Sequence, residues 1–125
     1  MKFLKFSLGE DMYGIDIDNV NEITKMSEIT RVPNSSPEVE GVMDLRGNTT
    51  SIVNPKKLFD IESNGNENRI IILDSKDTGW IVDEVYNVLD IDTENIDKAV
   101  TKKDSGVQGI IKKNGEFIVL VEPYI

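Results

Sequence analysis

Short runs of alternating apolar and polar residues, separated by turn residues, constrain this 125-residue chain more than any other feature. Residues 4–8 alternate in this way, residues 9–11 supply a turn, and residues 13–17 alternate again. A period of two places every second side chain on the same face of a β-strand. Two such runs joined by a short turn predict an antiparallel hairpin.

The same signals recur along the rest of the chain. Further strand-like segments are predicted at 42–47, 49–53, 69–73, 80–85, 87–91, 109–112 and 116–121. Asn114-Gly115 is the strongest two-residue hairpin signal among them. Trp80, the only tryptophan, is expected to pack in the core or at an interface between subdomains.

Helical signals are confined to single turns. A short helix capped by Asp18 is predicted to carry Val20 and Ile23, and further turns are predicted at 36–38, 54–59 and 93–96. Gly41 is expected to end the turn at 36–38. About nine or ten short strands with only such turns predict an all-β fold of barrels or a sandwich.

The length fits one domain, spanning 1–125, whose core small subdomains would share. Residues 60–68 are polar and rich in turn formers, so this segment is the candidate loop junction between two β subdomains. The polar region 97–106 is expected to be a further loop.

Composition excludes several classes of function. The chain has no cysteine and no histidine, which rules out disulfides, thiolate metal sites and serine–histidine catalysis. A formal net charge of −9 disfavours nucleic acid and anionic membrane surfaces as partners. No apolar run approaches the roughly 20 residues that span a bilayer, and no signal peptide is recognisable. We expect a cytoplasmic protein without nucleic-acid binding or membrane insertion.

Carboxylates are the remaining candidates for chemistry. The closest sets are Asp16 with Asp18, and Asp90 with Asp92 and Glu94. Such groups could bind a hard cation or exchange protons, which keeps a carboxylate- or metal-dependent enzyme as an alternative. The run from Asp90 departs from a calcium loop, because Asn95 replaces the glycine and Thr101 the closing glutamate. Helix caps and a solvated strand face are the favoured interpretation, with no catalytic residue, metal or cofactor.

Four segments in order carry a family resemblance. They are 13–17 with 20–23, the run Gly-Val-Met-Asp-Leu-Arg-Gly at 41–47, the strand at 80–85, and the closing hairpin within 106–121. Together they resemble the CheW family of chemotaxis coupling proteins over nearly the whole chain. The resemblance implies two small, intertwined five-stranded SH3-like β-barrels. It also implies a non-enzymatic adaptor, or scaffold, in chemotaxis signal transduction.

The resemblance also implies two protein partners. One is the cytoplasmic signalling tip of a chemoreceptor (a methyl-accepting chemotaxis protein), and the other is the regulatory domain of the histidine kinase CheA. The receptor-facing groove would contain Val20, Glu22, Gly41, Arg46 and Gly47. Within it, Glu22 and Arg46 would lie close enough to pair.

The kinase-facing surface would lie on the first barrel, in strands that include the residues after Gly47. It would contain Asn48, Thr49, Thr50, Ser51 and Ile52. The polar residues 48–51 replace a stretch that is usually apolar in this family, and Asn54-Pro55 replaces the usual Asp-Leu. Polar groups weaken an interface core, so the alternative is a divergent CheW-like binding module with weak or no kinase coupling, or one that serves another sensory system.

Overall fold

The computed structural model describes residues 1–98 and 106–123, and these form ten strands and one short α-helix. In chain order the elements are β1 (Lys2–Leu8), β2 (Asp11–Asp16), β3 (Val20–Lys25), β4 (Val39–Leu45), β5 (Asn48–Val53), α1 (Pro55–Leu58), β6 (Arg69–Leu73), β7 (Thr78–Val82), β8 (Glu84–Asp90), β9 (Val107–Lys113) and β10 (Glu116–Val121). Short 3₁₀ turns occupy Ile17–Asn19 and Thr93–Asn95. The all-β prediction is confirmed.

The strands form two five-stranded sheets. The first sheet has the order β8-β1-β2-β10-β9, and the second has the order β3-β6-β7-β5-β4. Across each sheet, in that order, the pairings are antiparallel, antiparallel, parallel and antiparallel. The two sheets therefore share one topology, although the second is built from one continuous segment and the first from both ends of the chain.

The chain passes between the sheets at two points. It leaves the first sheet through the 3₁₀ turn Ile17–Asn19 and returns at Asp83, which separates β7 from β8. The single strand predicted at 80–85 is therefore wrong, because residues 80–82 and 84–85 pair in different sheets. The loop at 60–68 leads from α1 to β6, within the part of the chain that forms the second sheet.

Two of the predicted helical turns are wrong. Asp16, not Asp18, caps a 3₁₀ turn by accepting from the backbone N–H of Asp18 (2.9 Å), and the chain then enters strand β3 at Val20. Ladder hydrogen bonds to β6 outweigh the weak helical pattern there. At 36–38 the chain makes a hydrogen-bonded turn, from Val39 N to Ser36 O (2.9 Å), and Gly41 lies inside β4.

The helical turns predicted at 54–59 and 93–96 are confirmed. Asn54 caps α1 by accepting from the backbone N–H of Lys56 (3.1 Å), and Pro55 takes the first helical position. Asp97, in the loop predicted at 97–106, forms an isolated bridge with Ile110. Residues 99–105 of that loop, with Thr101, lie outside the described residues.

Three apolar clusters form the core. One is shared by both sheets and contains fully buried side chains such as Phe6 and Ile15 from the first sheet and Ile71 and Trp80 from the second. A second cluster, around Ile52, comes from the second sheet alone, and a third comes from the first sheet and its adjoining segments. Trp80 thus packs where the sheets meet, as predicted.

Candidate functional site

Glu22 and Arg46 form an ion pair between two parts of the second sheet. The Nη2 atom of Arg46 lies 2.6 Å from Oε1 of Glu22, so the predicted pairing is present. Glu22 lies in β3, whereas Arg46 and Gly47 form the turn between β4 and β5. Both turn residues have positive φ angles (47° and 90°), the conformation of a tight hairpin turn. The turn is further held by Asp44, whose carboxylate accepts from Gly47 N (2.8 Å).

The pair joins the two edges of the second sheet, since β3 and β4 are its outermost strands. The segment that follows β3 also contacts β4, through a backbone bridge between Thr30 and Val42 with two hydrogen bonds of 2.8 Å. The Arg46 side chain remains 69% exposed and that of Glu22 31% exposed. A charged, solvent-accessible seam therefore runs between the edges; we call the surface of Glu22, Arg46 and Gly47 the seam site.

Gly41 belongs to the framework of this seam. It is buried, its φ is +151°, and a Cβ atom at this position would lie 2.2 Å from the carbonyl oxygen of Thr30. Only glycine lets the Thr30 segment approach β4 so closely. Val20 is half-buried, and its side chain packs against the core that the two sheets share. Of the five predicted groove residues, the structure therefore brings Glu22, Arg46 and Gly47 together at the surface.

Apolar side chains are exposed on the same edge strand. Ile23, next to Glu22 in β3, is 43% exposed, and Ile17, just before the strand, is 38% exposed. β3 is an edge strand of the second sheet and pairs with β6. Side chains alternate along a strand, so Ile23 points to the opposite face of β3 from Glu22 and lies outside the seam site.

The segment 48–52 is less accessible than predicted for a docking surface. Thr50 and Ile52 are completely buried; the hydroxyl of Thr50 donates to Lys76 O (2.9 Å), and Ile52 lies in the core of the second sheet. Asn48 and Thr49 are exposed, and Ser51 is partly buried. β5 is an interior strand of the second sheet, paired with β4 and β7.

A buried charge cluster joins the two sheets. The ammonium of Lys56, whose side chain is 1% exposed, lies 2.7 Å from the Asp83 carboxylate. The other carboxylate oxygen of Asp83 accepts from the backbone N–H of Gly9 (2.9 Å), in the turn between β1 and β2. We call Lys56, Asp83 and Gly9 the inter-sheet anchor, since it links α1 to the first sheet at the point where the chain returns.

Sequence reasoning missed this anchor. Lys56-Lys57 looks like an ordinary pair of surface charges, and only Lys57 is one, in an exposed ion pair with Glu40. The available signal was Asp83, which interrupts an apolar run at 80–85. A buried carboxylate requires a partner.

The loop at 60–68 contributes two further groups to Lys56. Asn64 Oδ1 accepts from the ammonium (3.1 Å), and Glu67 Oε1 lies 3.7 Å from it. Burial raises the pKa of Glu67, but hydrogen bonds from Ser63 and from its own backbone, together with the charge of Lys56, hold it below its usual value. In the first sheet, burial and the nearby charge of Asp11 raise the pKa of Tyr13.

Two of the five carboxylates considered for chemistry serve other contacts. Asp16 caps the 3₁₀ turn, and Asp90 lies 3.8 Å from the amino-terminal ammonium of Met1. Within residues 1–98 and 106–123, no three acidic side chains converge in a way that could hold a metal ion. In the same part of the chain, no helix is both long and apolar enough to cross a membrane.

Comparisons with known proteins converge on one family. Residues 2–123 match the family model described as CheW-like domain. The chain is 32% identical over 124 residues to the chemotaxis protein CheW of Thermotoga maritima, covering 95% of this chain and 82% of that protein. It is 30% identical over 129 residues to the chemotaxis protein CheW of Bacillus subtilis, covering 97% and 83% respectively. The crystal structure of the scaffolding protein TtCheW from Thermoanaerobacter tengcongensis superposes with a TM-score of 0.88 at 35% identity, over 98% of this chain and 84% of that one.

Proposed function

The chain belongs to the CheW-like family, and from this premise we propose that it is a non-catalytic chemotaxis adaptor that couples chemoreceptor signalling tips to the regulatory domain of the kinase CheA. The match over residues 2–123 and the names of the chemotaxis relatives support this role. Receptor tips and the kinase domain act in the cytoplasm, so the adaptor would work there, without inserting into the membrane.

The Glu22–Arg46 pair at the seam site is the observation that carries the receptor assignment. An exposed ion pair contributes only about 0–1 kcal/mol to stability, so its presence on an open surface is better explained by recognition than by folding. Charged groups at the rim of an interface select partners and orient them.

The kinase-facing surface would be formed by the exposed start of β5, namely Asn48, Thr49 and the accessible part of Ser51. Thr50 and Ile52 would contribute only by holding this strand in place. The polar character of the accessible residues favours a second candidate function. In that candidate the protein binds receptors but couples weakly or not at all to the kinase, because the contact lacks an apolar centre.

Titration calorimetry with two separate partners tests both functions. The purified protein is titrated with the regulatory domain of CheA from the same source, and with a receptor signalling-tip fragment. Saturable binding to both establishes the adaptor. Binding to the receptor fragment alone at tens of micromolar protein favours the weakly coupled module, whereas binding to neither contradicts the proposed function.

Two variants locate the receptor contact. Arg46→Ala should weaken binding of the receptor fragment at least tenfold while the melting temperature stays near that of the unaltered protein. Lys57→Ala, which removes another exposed ion pair, with Glu40, is the matched control and should bind normally. Equal affinities for the two variants would show that the seam site is not the receptor contact.

A further inference from the structure

The chain contains two Asn-Gly dipeptides, and they lie in different structural settings. Asn64-Gly65 is in the loop at 60–68, whereas Asn114-Gly115 forms the turn between β9 and β10. Asparagine is thermally labile in proteins. The lability is greatest before glycine, because no side chain hinders the glycine nitrogen when it attacks the asparagine amide carbon.

The side chain of Asn64 is held by two hydrogen-bond donors. Its Oδ1 accepts from Lys56 Nζ (3.1 Å) and from the backbone N–H of Asn66 (3.1 Å). Lysine can only donate, which identifies the side-chain atom facing it as oxygen. Negative charge develops on this oxygen when a nucleophile attacks Cγ, so both donors stabilise the tetrahedral intermediate more than they stabilise the amide.

The backbone on either side of Asn64 lies outside the strand ladders. No strand includes residues 62–67, and the hydrogen bond from Gly65 N to Ser63 Oγ is long (3.3 Å). Asn114, in contrast, is enclosed by the paired residues Lys113 and Glu116. Bringing the glycine nitrogen to the side-chain carbon there requires opening the end of the β9–β10 ladder, which lowers the population of reactive conformers.

We propose that Asn64 is a site of spontaneous deamidation, and that the resulting carboxylate competes with Asp83 for the ammonium of Lys56. The Gly65 backbone nitrogen forms a bond to Cγ of Asn64 and transfers its proton to the departing amide nitrogen. The Cγ–Nδ2 bond breaks, ammonia leaves, and a succinimide remains. Water then opens the ring to aspartate or isoaspartate at position 64.

The position of the new charge gives the modification a structural consequence. Lys56 is already 2.7 Å from Asp83 and 3.7 Å from Glu67. A third carboxylate would leave three negative charges around one buried ammonium, and their mutual repulsion disfavours the folded arrangement. Deamidation at this loop would therefore loosen the inter-sheet anchor from a distance of eight residues along the chain.

Peptide mapping by mass spectrometry tests the site. The full chain is incubated at neutral pH, once folded and once in denaturant, and conversion is followed at both dipeptides. The denatured chain gives the intrinsic ratio of the two rates. In the folded protein, conversion at Asn64 relative to Asn114 should exceed that ratio severalfold; a folded ratio equal to or below the denatured ratio overturns the proposal.

Two aspartate variants test the consequence. Asn64→Asp should melt several degrees below Asn114→Asp, although both add one negative charge to a protein of net charge −9. The difference should shrink at high salt, since screening weakens repulsion between partly exposed charges. Equal melting temperatures for the two variants, or a higher one for Asn64→Asp, would overturn the competition for Lys56.

Discussion

The two sheets share one topology but join their edges differently. In the second sheet the turn between β4 and β5 carries Arg46, which reaches the Glu22 carboxylate on β3. In the first sheet the equivalent hairpin, between β9 and β10, carries Lys113, which reaches only the backbone carbonyl of Asp90 on β8 (3.2 Å). The same architecture thus carries an ion pair between two side chains in one sheet and a hydrogen bond from a side chain to a backbone carbonyl in the other.

A second correspondence concerns the glycines at the sheet edges. Gly41 in β4 is approached by the backbone of Thr30, and Gly109 in β9 by that of Asp97, each next to an isolated backbone bridge. The approach is closer in the second sheet: a Cβ atom would lie 2.2 Å from the Thr30 oxygen but 2.8 Å from the Asp97 oxygen. In both sheets, the close approach of a neighbouring segment to an edge strand depends on glycine, and most strictly at Gly41, beside the seam site.

Glycine substitutions should separate the sheets most strongly. Gly41→Ala should destabilise by about 4 kcal/mol or more, because its positive φ and the rigid Thr30 backbone leave no room for relief. Gly109→Ala should lose less, about 1–3 kcal/mol, since Gly109 has no positive φ and its backbone contact, the Asp97 oxygen at 2.8 Å, is longer, while the Ile96 side chain can move. Gly47→Ala, with open space around it, should lose about 1–2 kcal/mol from backbone strain. Denaturant unfolding followed by Trp80 fluorescence checks this order, and a Gly109 loss as large as that of Gly41 would refute the comparison.

Breaking the inter-sheet anchor tests whether the sheets fold as one unit. Lys56→Met should destabilise by about 3–5 kcal/mol, because it leaves the Asp83 carboxylate buried without its cation. Lys57→Met is the neighbouring control and should cost about 0–1 kcal/mol, since its ion pair is exposed. Calorimetric melting is the measurement. If the two variants melt at the same temperature, the anchor does not hold the sheets together.

Removing the basic residue of each edge sharpens the functional difference. Arg46→Ala and Lys113→Ala should each change stability by only about 0–1 kcal/mol, because both contacts are solvent-exposed. Only Arg46→Ala should reduce binding of a receptor-tip fragment in calorimetry. A large fall in melting temperature for Arg46→Ala would instead mean that the pair is structural.

The smallest effect concerns acid stability. The pKa of Glu67 is lower in the folded protein than in the unfolded chain, so the folded state binds fewer protons at this group. Its contribution to stability is present above the unfolded pKa of about 4.3 and is lost as the pH falls through the lower folded pKa. Glu67→Gln should therefore flatten the loss of stability below about pH 4 relative to the unaltered protein. Urea unfolding of both proteins at a series of pH values measures this difference, and equal slopes would contradict the prediction.

Hairpins and turns were the predictable part of this fold. The runs that became β1–β2 and β9–β10 carry their alternation and turn residues within about 15 positions, so a local pattern specifies them. The short helix predicted after Asp18 was wrong because β3 gains ladder hydrogen bonds from β6, some 50 positions later along the chain. The division of 80–85 into two strands was missed for a similar reason. The position of Asp83 depends on its contacts with Lys56 and Gly9, which lie far from it along the chain.

The candidate site was predictable only in part. The Leu-Arg-Gly motif led to Arg46, and the family resemblance to its pairing with Glu22. The accessibility of 48–52 was not predictable, because burial of Thr50 depends on a carbonyl of Lys76 that another loop supplies. The sequence alone does not show whether the fold will supply a hydrogen-bond partner for a polar side chain.

The sequence by itself determined that the chain is all-β, where it turns, which catalytic chemistries it lacks and which family it resembles. These properties depend on side-chain periodicity, on residues that tolerate positive φ, and on residue types that are present or absent. Only the tertiary structure decided the parallel pairings of β2 with β10 and of β5 with β7, and the burial of Lys56. The physical reason is that strand pairing and desolvation arise from groups far apart along the chain, whose free energies exist only once the sheets have assembled.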